Sequence, residues 1–305
     1  MEKKKEMLFL APFPPHKGGI AYYSEEFIKN APDNLIIKPV GFKRVFPKIL
    51  YPGSSIKKRE EMGEFPLEID SLNPFTWDYP SSLNLKEEGI FIISYWTSLL
   101  SIPLYFIVKN FKKRYKKWKI ILWCHNVEDH RRIYFLENFK KKLFKEADGL
   151  IVHSKKAQRE VKNFFEKKVL LSFLPIHPLP YGLIEKEKAK EGIGLRKEDK
   201  TILFLGTIRK YKGIENLIQI GKILKERDFK FIIAGDLWRE CKKYVKDFKE
   251  LNFITFFGFH SWEEIIKFLS LSDLLLMPYE SASGSGILMI AYYYRLPFCI
   301  TGLEE

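Results

Sequence analysis

The chain has 305 residues, 46% hydrophobic and 30% charged, with 52 Lys+Arg against 38 Asp+Glu and a formal charge of +14. That length accommodates two domains of ordinary size, and the composition excludes a disordered chain. The positive excess points to an anionic partner, whether nucleic acid, a membrane surface or a phosphorylated small molecule. No nucleic-acid reading element is recognisable, so no nucleic-acid partner is expected. The three cysteines, Cys124, Cys241 and Cys299, have neither metal nor redox spacing and suit a reducing cytoplasm. The early apolar run Met7 to Ala11 is too short for a signal sequence, and no stretch approaches the ~20 residues of a membrane span.

In chain order, Met7 to Phe13 reads as a buried strand and Pro14 to Gly19 as a tight loop whose paired glycines, Gly18 and Gly19, permit backbone shapes other residues resist. Ile20 to Ile28 has helical spacing, completing the first strand, loop and helix of a doubly wound sheet. Leu35 to Gly41 is a second strand. From Phe42 to Lys86, prolines interrupt every pattern, which predicts irregular structure with one short helix. Gly89 to Trp96 reads as a buried strand and Ser98 to Phe111 as an apolar helix. Its basic continuation, Lys109 to Lys119, has two readings: a surface that leans on anionic lipid with Phe111, Tyr115 and Trp118 at the interface, or cations complementing a helix terminus.

Lys119 to Cys124 is a strand that delivers His125, Asn126 and His130 at its carboxyl end, where open α/β sheets place ligands. His125 and His130 lie five apart, off one helical face, so zinc is not expected. A helix closes at Lys140 to Glu146, Ala147 to Ser154 is a strand with a polar end, Lys155 to Phe165 is its helix, and Val169 to Leu174 is the last strand of the first half. Prolines 175, 178 and 180, Gly182 and the charged run Glu185 to Glu191 mark a boundary. The expected domains are 1–178 and 201–305, with 179–200 as linker.

Thr201 to Leu205 is an apolar, β-branched strand ended by Gly206, and Gly213 opens an amphipathic helix. Arg209, Lys210 and Lys212 lie between them, so the loop is either an anion site at a helix N-terminus or a solvated charged turn. Strands follow at Phe229 to Gly235, Phe253 to Phe257 and Leu274 to Glu280. Helices are expected at Glu240 to Lys249 and after Ser261, whose pairing with Glu264 reads as a capping box. Ser281 to Ile287 is a small-residue loop opening a helix, a second anion cradle involving Ser285 and Gly286. Phe298 to Thr301 is a final strand. The chain lacks the Gly-x-Gly-x-x-Gly of a dehydrogenase.

The loop Leu205 to Gly213 resembles the one that opens the C-terminal domain of GT-B glycosyltransferases, especially retaining family four. Gly18 to Ser24, "strand-His-Asn-Val-x-x-His" at 125–130, Ala147 to Ser154 and His177 to Gly182 are similar to further elements of that family. The resemblance implies an α/β GT-B fold, two Rossmann-like doubly wound domains facing across a cleft, the second incomplete. It implies that Arg209 and Lys212, with amides at Ser285 and Gly286, hold the diphosphate of a nucleotide sugar. Gly18 and Gly19 approach donor and acceptor, and His125 serves catalysis beside the sugar ring. Asn126, His130, Ser154 and Glu280 line the cleft.

The implied reaction is metal-independent hexosyl transfer to a glycan or polyprenyl-linked acceptor, in the cytoplasm or peripherally at the inner face of a membrane. The nucleotide sugar is the donor substrate, and neither cofactor nor metal is expected. Two departures stand out. The paired carboxylates of many members align with Ala282 and Ile290, with Glu280 two residues early, and the family's C-terminal portion is expected to be missing. These departures favour the main alternative, a non-catalytic nucleotide-sugar-binding or scaffold subunit. An epimerase of the same fold is another.

Overall fold

The structure is a computed structural model that describes residues 4–16, 18–46, 65–127, 134–174, 179, 181–282 and 284–303. The chain divides after Phe173 into two compact units. The first contains β1 (Lys5–Ala11), α1 (Gly19–Lys29), β2 (Leu35–Arg44), β3 (Leu67–Asp70), α2 (Tyr79–Ser82), β4 (Ile90–Tyr95) and α3 (Ser101–Arg114). It continues with β5 (Lys119–Cys124), α4 (Tyr134–Glu146), β6 (Gly149–Val152), α5 (Lys155–Lys162) and β7 (Lys168–Leu171). The strands form one parallel sheet in the order β3-β2-β1-β4-β5-β6-β7.

A parallel sheet is covered on both faces, so its central strands are apolar without alternation. In β1, Leu8, Phe9, Leu10 and Ala11 are all fully buried. Phe9, Phe13 and Trp123 pack on one face with Tyr23 and Phe27 of α1, while Leu8, Leu10, Phe91 and Leu122 pack on the other with α3 and α4.

This packing overturns one expectation. Phe111, Tyr115 and Trp118 are 0%, 8% and 2% exposed and belong to the core, so they cannot form a lipid interface. The rings contact one another, with Phe111 and Tyr115 centroids 4.9 Å apart and Phe111 and Trp118 5.5 Å apart. Trp118 donates its Nε1 hydrogen to the Lys86 carbonyl at 2.9 Å, which fixes the turn from α3 into β5. The proline-rich stretch also holds a strand that the sequence did not suggest. β3 joins the sheet edge beside β2 with register shifts, held by a fork of Arg44 on Asp70 at 2.9 and 2.6 Å.

The second unit contains α6 (Lys186–Glu191), β8 (Lys200–Leu205), α7 (Ile214–Ile223), β9 (Phe229–Gly235), α8 (Val245–Glu250) and β10 (Ile254–Phe257). α9 (Trp262–Leu271), β11 (Leu274–Met277), α10 (Gly286–Tyr293) and β12 (Phe298–Ile300) complete it. The parallel order β10-β9-β8-β11-β12 puts β8 beside β11, although two strands intervene in sequence. Inside the stretch read as a linker, α6 packs on α9, and Lys190 donates to the carbonyls of Lys197 at 2.9 Å and Asp199 at 2.6 Å. The helix expected at Glu240 to Lys249 is a 3-10 run, Arg239–Tyr244, followed by the short α8. The Ser261 and Glu264 capping box is formed as read.

Gly213 is in the left-handed region at φ 71°, and a β carbon there would lie 1.7 Å from the Pro278 carbonyl oxygen. Gly213→Ala should therefore lower the unfolding free energy by about 2 kcal/mol or more, measured by urea unfolding. Gly192, at φ −62° with its nearest neighbour at 3.4 Å, should accept alanine with little loss.

Candidate functional site

The two loops read as anion cradles leave adjacent strands, so the sheet itself brings them together. After β8, Gly206 turns at φ 114°, and the 3-10 turn Lys210–Lys212 leads through Gly213 into α7. After β11, Pro278 and Tyr279 lead to Ser285, the N-cap of α10. The close backbone approach at Gly213 is fastened by Asn216, whose Nδ2 donates to the Pro278 carbonyl at 3.2 Å, and by the Glu280 amide, which donates to the Tyr211 carbonyl at 2.9 Å.

Lys212 occupies the centre. Its Nζ donates to the Tyr279 hydroxyl at 2.8 Å, lies 4.5 Å from the centre of that ring, and would be 3.5 Å from a β carbon on Gly206. No carboxylate lies within ion-pair distance of it among the described residues. Burial therefore pushes its pKa down, with repulsion from Arg209 adding to the fall and Tyr211 opposing it. A cation held away from water without a counter-anion favours any ligand that brings negative charge. Tyr279 stays protonated, its pKa raised to about 12 by burial, and makes a further hydrogen bond to Ser285. Neither Tyr279 nor its link to Lys212 was assigned a role from sequence, because nothing in the spacing shows that residues 67 apart touch.

Arg209 lies flat against Trp238, its guanidinium carbon 4.0 Å from the ring centre, and 5.4 Å from Tyr211. Its Nε is buried without a hydrogen bond, 3.5 Å from a Glu240 carboxylate oxygen. Arg209 is thus a held cation beside Lys212, neutralised only in part. Ser285 makes no capping bond with its side chain, and Gly286 is exposed at the start of α10, where the first-turn amides of a helix have no intrahelical partner. Glu280 is exposed, and Ile290, where relatives of the resembled family carry a carboxylate, is a core residue 4% exposed.

In the first unit, His125 follows β5 and takes part in an aromatic stack. Its ring is parallel within 28° to His153 at 5.2 Å and within 23° to Trp123 at 5.8 Å, with Tyr23 of α1 edge-on at 5.6 Å. His153 is fixed at both nitrogens. Its Nε2 accepts from Trp123 Nε1 at 3.1 Å, so the Nδ1 hydrogen donates to the Ser172 carbonyl at 2.9 Å. His125 Nε2 is enclosed and has no hydrogen-bond partner among the described residues. Desolvation, aided by His153, lowers its pKa to about 3, which leaves a neutral imidazole.

Gly18 takes φ 119° immediately before α1 and Gly19 is its first residue, both with open space where a side chain would stand. Asn126 donates to the Trp96 carbonyl at 3.4 Å. Ser154 is the N-cap of α5, its hydroxyl accepting from the Ala157 amide at 3.1 Å. His130 and His177 lie outside the described residues. The structure therefore brings Lys212 to Tyr279 and Ser285 in the second unit, with Arg209 and Gly286 on the same two loops, while in the first unit His125 stands after β5 and Gly18 and Gly19 at the start of α1.

Two parallel, doubly wound Rossmann-like sheets with polar residues at their strand ends are the arrangement of the GT-B fold. Sucrose-phosphate synthase from Thermosynechococcus elongatus is similar over 98% of this chain and 82% of its own, with TM-score 0.68 and 13% identity. Anabaena HepE in complex with UDP is similar over 98% and 81%, with TM-score 0.65 and 14% identity. More particularly, residues 185–298 match the family model Glycosyl transferases group 1, a stretch that lies within the second unit. Two uncharacterized glycosyltransferases of Methanocaldococcus jannaschii are also similar. One is 30% identical over 44% of this chain and 37% of its own length, and the other is 27% identical over 94% and 77%. The chain thus spans well under two thirds of the first of these relatives.

The neutral His125 has a consequence for pH. The unfolded chain binds a proton near the ordinary value of 6.5, whereas the native state resists protonation down to about 3. Between those values the unfolded state holds more protons, so stability falls as pH drops through that window. His16 and His153, also shifted downward, act in the same direction. His125→Gln should flatten the fall measured by urea midpoints across this range. The His125 ring resonances should not move between about pH 8 and 5.

Proposed function

We propose that this chain binds a nucleotide-diphosphate sugar at the loops after β8 and β11 and transfers the hexosyl group, with retention, to a glycan or lipid-linked acceptor received by the first unit. The observation that carries the reading is the Lys212 ammonium, enclosed on Tyr279 without a carboxylate counter-ion among the described residues. A diphosphate would supply that missing charge. As the bond from the anomeric carbon to the bridging oxygen breaks, its electron pair remains on the diphosphate. Lys212, Arg209 and the α10 N-terminal amides at Ser285 and Gly286 would stabilise that charge. On this reading, side chains and helix amides do the work without a required metal or cofactor. His125, neutral and with an unused Nε2, would hydrogen-bond a sugar hydroxyl rather than supply a charge. A lipid-linked acceptor would place the protein in glycolipid or polysaccharide biosynthesis at the cytoplasmic face of a membrane.

A second reading, a non-catalytic nucleotide-sugar-binding subunit, is favoured by the burial of Ile290, which leaves no carboxylate at that helix position. Binding and turnover separate the two. Calorimetric titration with UDP, GDP and ADP should find one diphosphate that binds. Lys212→Ala should weaken it by about 1.5–3 kcal/mol, the range of a charge-assisted hydrogen bond. A folded chain that binds none of the three, or a variant that binds as tightly as the parent, would sink the donor reading. Binding without any sugar transfer would favour the second.

A further inference from the structure

Although the three buried rings of the basic segment are excluded, the outer surface of α3 and α4 carries other aromatic residues. Trp77 stacks on Phe106 at 5.9 Å, Phe106 meets Phe139 at 6.3 Å, and Phe139 meets Phe135 at 5.4 Å. Phe106 is 38% exposed, Phe135 64%, and Phe75, in the same short turn as Trp77, 94%. Single exposed rings are ordinary, but a contiguous row of them on a protein surface marks an interaction face.

Lysines border the row. Lys109 Nζ lies 5.8 Å from the Tyr105 ring centre and Lys142 Nζ 5.2 Å from that of Phe139. The acids on the two helices are already engaged, Glu137 with Lys140 at 3.7 Å and Glu146 with Lys112 at 3.1 Å. Beside the row, a groove of about 360 Å³ is lined by Asp78, Ser81, Asn110, Lys113 and Arg114. In it the Ser81 hydroxyl is buried with no hydrogen-bond partner among the described residues. Lys113 donates to Asn110 at 3.3 Å, and Asp78 is the groove's one acidic lining residue.

We propose that this face docks on a bilayer of anionic phospholipid, with the exposed phenylalanines entering the headgroup region and a lipid phosphate occupying the Ser81, Lys113 and Arg114 groove. Rings flanked by lysines, with both acids of α4 paired to lysines and Asp78 set against Lys113 and Arg114 in the groove lining, match the chemistry of an anionic interface, where aromatic bodies sit at headgroup depth and ammonium groups meet phosphate. The surface belongs to the first unit, and the inference does not rest on the donor reading.

The test is flotation of the full chain with vesicles of phosphatidylcholine alone and of equal parts phosphatidylcholine and phosphatidylglycerol. The chain should float with the anionic vesicles only, and less as salt rises. The triple variant Lys109→Gln, Lys113→Gln, Lys142→Gln should lose about a hundredfold in apparent affinity, from ~1 kcal/mol per cation near the surface. Phe75→Ser with Phe135→Ser should also weaken binding, with an unchanged circular dichroism spectrum. As a control, neutralising the exposed Lys222, Lys225 and Lys249 of the second unit should leave flotation intact. Equal loss in that control would show that net charge alone acts and would overturn the proposal. So would equal binding to neutral vesicles, failure of the parent chain to float, or unaltered binding by the surface variants. Nucleotide titration of the same samples reports separately on the donor site.

Discussion

The pairing of β8 with β11 is the contact on which the candidate donor site depends. In sequence, Lys212 and Tyr279 are 67 residues apart, and only a sheet that places the first strand of the unit beside the fourth brings them within 2.8 Å. The close packing at Gly213, with no room for a side chain against Pro278, brings the β8 loop against the backbone that leads to α10. A lysine amine, a tyrosine hydroxyl, a guanidinium and a helix N-terminus thereby converge, with no carboxylate of the described residues paired to the lysine. Such a place is costly to leave empty of negative charge, because desolvation acts on the cation while no ion pair offsets it.

The first unit solves a different problem. His125 and His153 are kept neutral by burial among aromatic rings, and the tautomer of His153 is set by a donor on one side and a carbonyl on the other. His125 stacks on that fixed ring with one nitrogen unused. An imidazole so placed can accept or donate one hydrogen bond to a neutral hydroxyl, and is poorly suited to hold a proton as a general acid near neutral pH. The surroundings, rather than the histidine itself, thus narrow its chemistry.

The basic segment shows how far composition carries an argument. Lysines recur through 109–119 with aromatic residues between them, and both the lipid-facing and the helix-terminus reading are consistent with that spacing. The sheet decides which rings face inward. Phe111, Tyr115 and Trp118 close the core beneath α3, while Phe106, one turn earlier, is left at the surface with Trp77 and Phe139. Helix rotation against the sheet, set by burial of the largest apolar area, therefore separates structural rings from available ones.

The alternation of apolar strands with amphipathic helices, and hence two parallel α/β sheets, was legible in the order of residues, because periodicity and strand-ending glycines are local properties. That order also marked the strand ends where polar residues gather: His125 after β5, and Arg209 and Lys212 after β8. β3 was not legible, since a four-residue strand among prolines is held by β2 and the Arg44 and Asp70 fork rather than by its own propensity. The helix at 186–191 was read as linker because its charges are local, while its reason for folding, the bonds from Lys186 to Asp273 and from Lys190 to two carbonyls, is not. The partner of Lys212 was equally hidden, since Tyr279 lies 67 residues on. These features follow from strand order, burial and contacts between residues far apart in the chain, which local pattern does not carry.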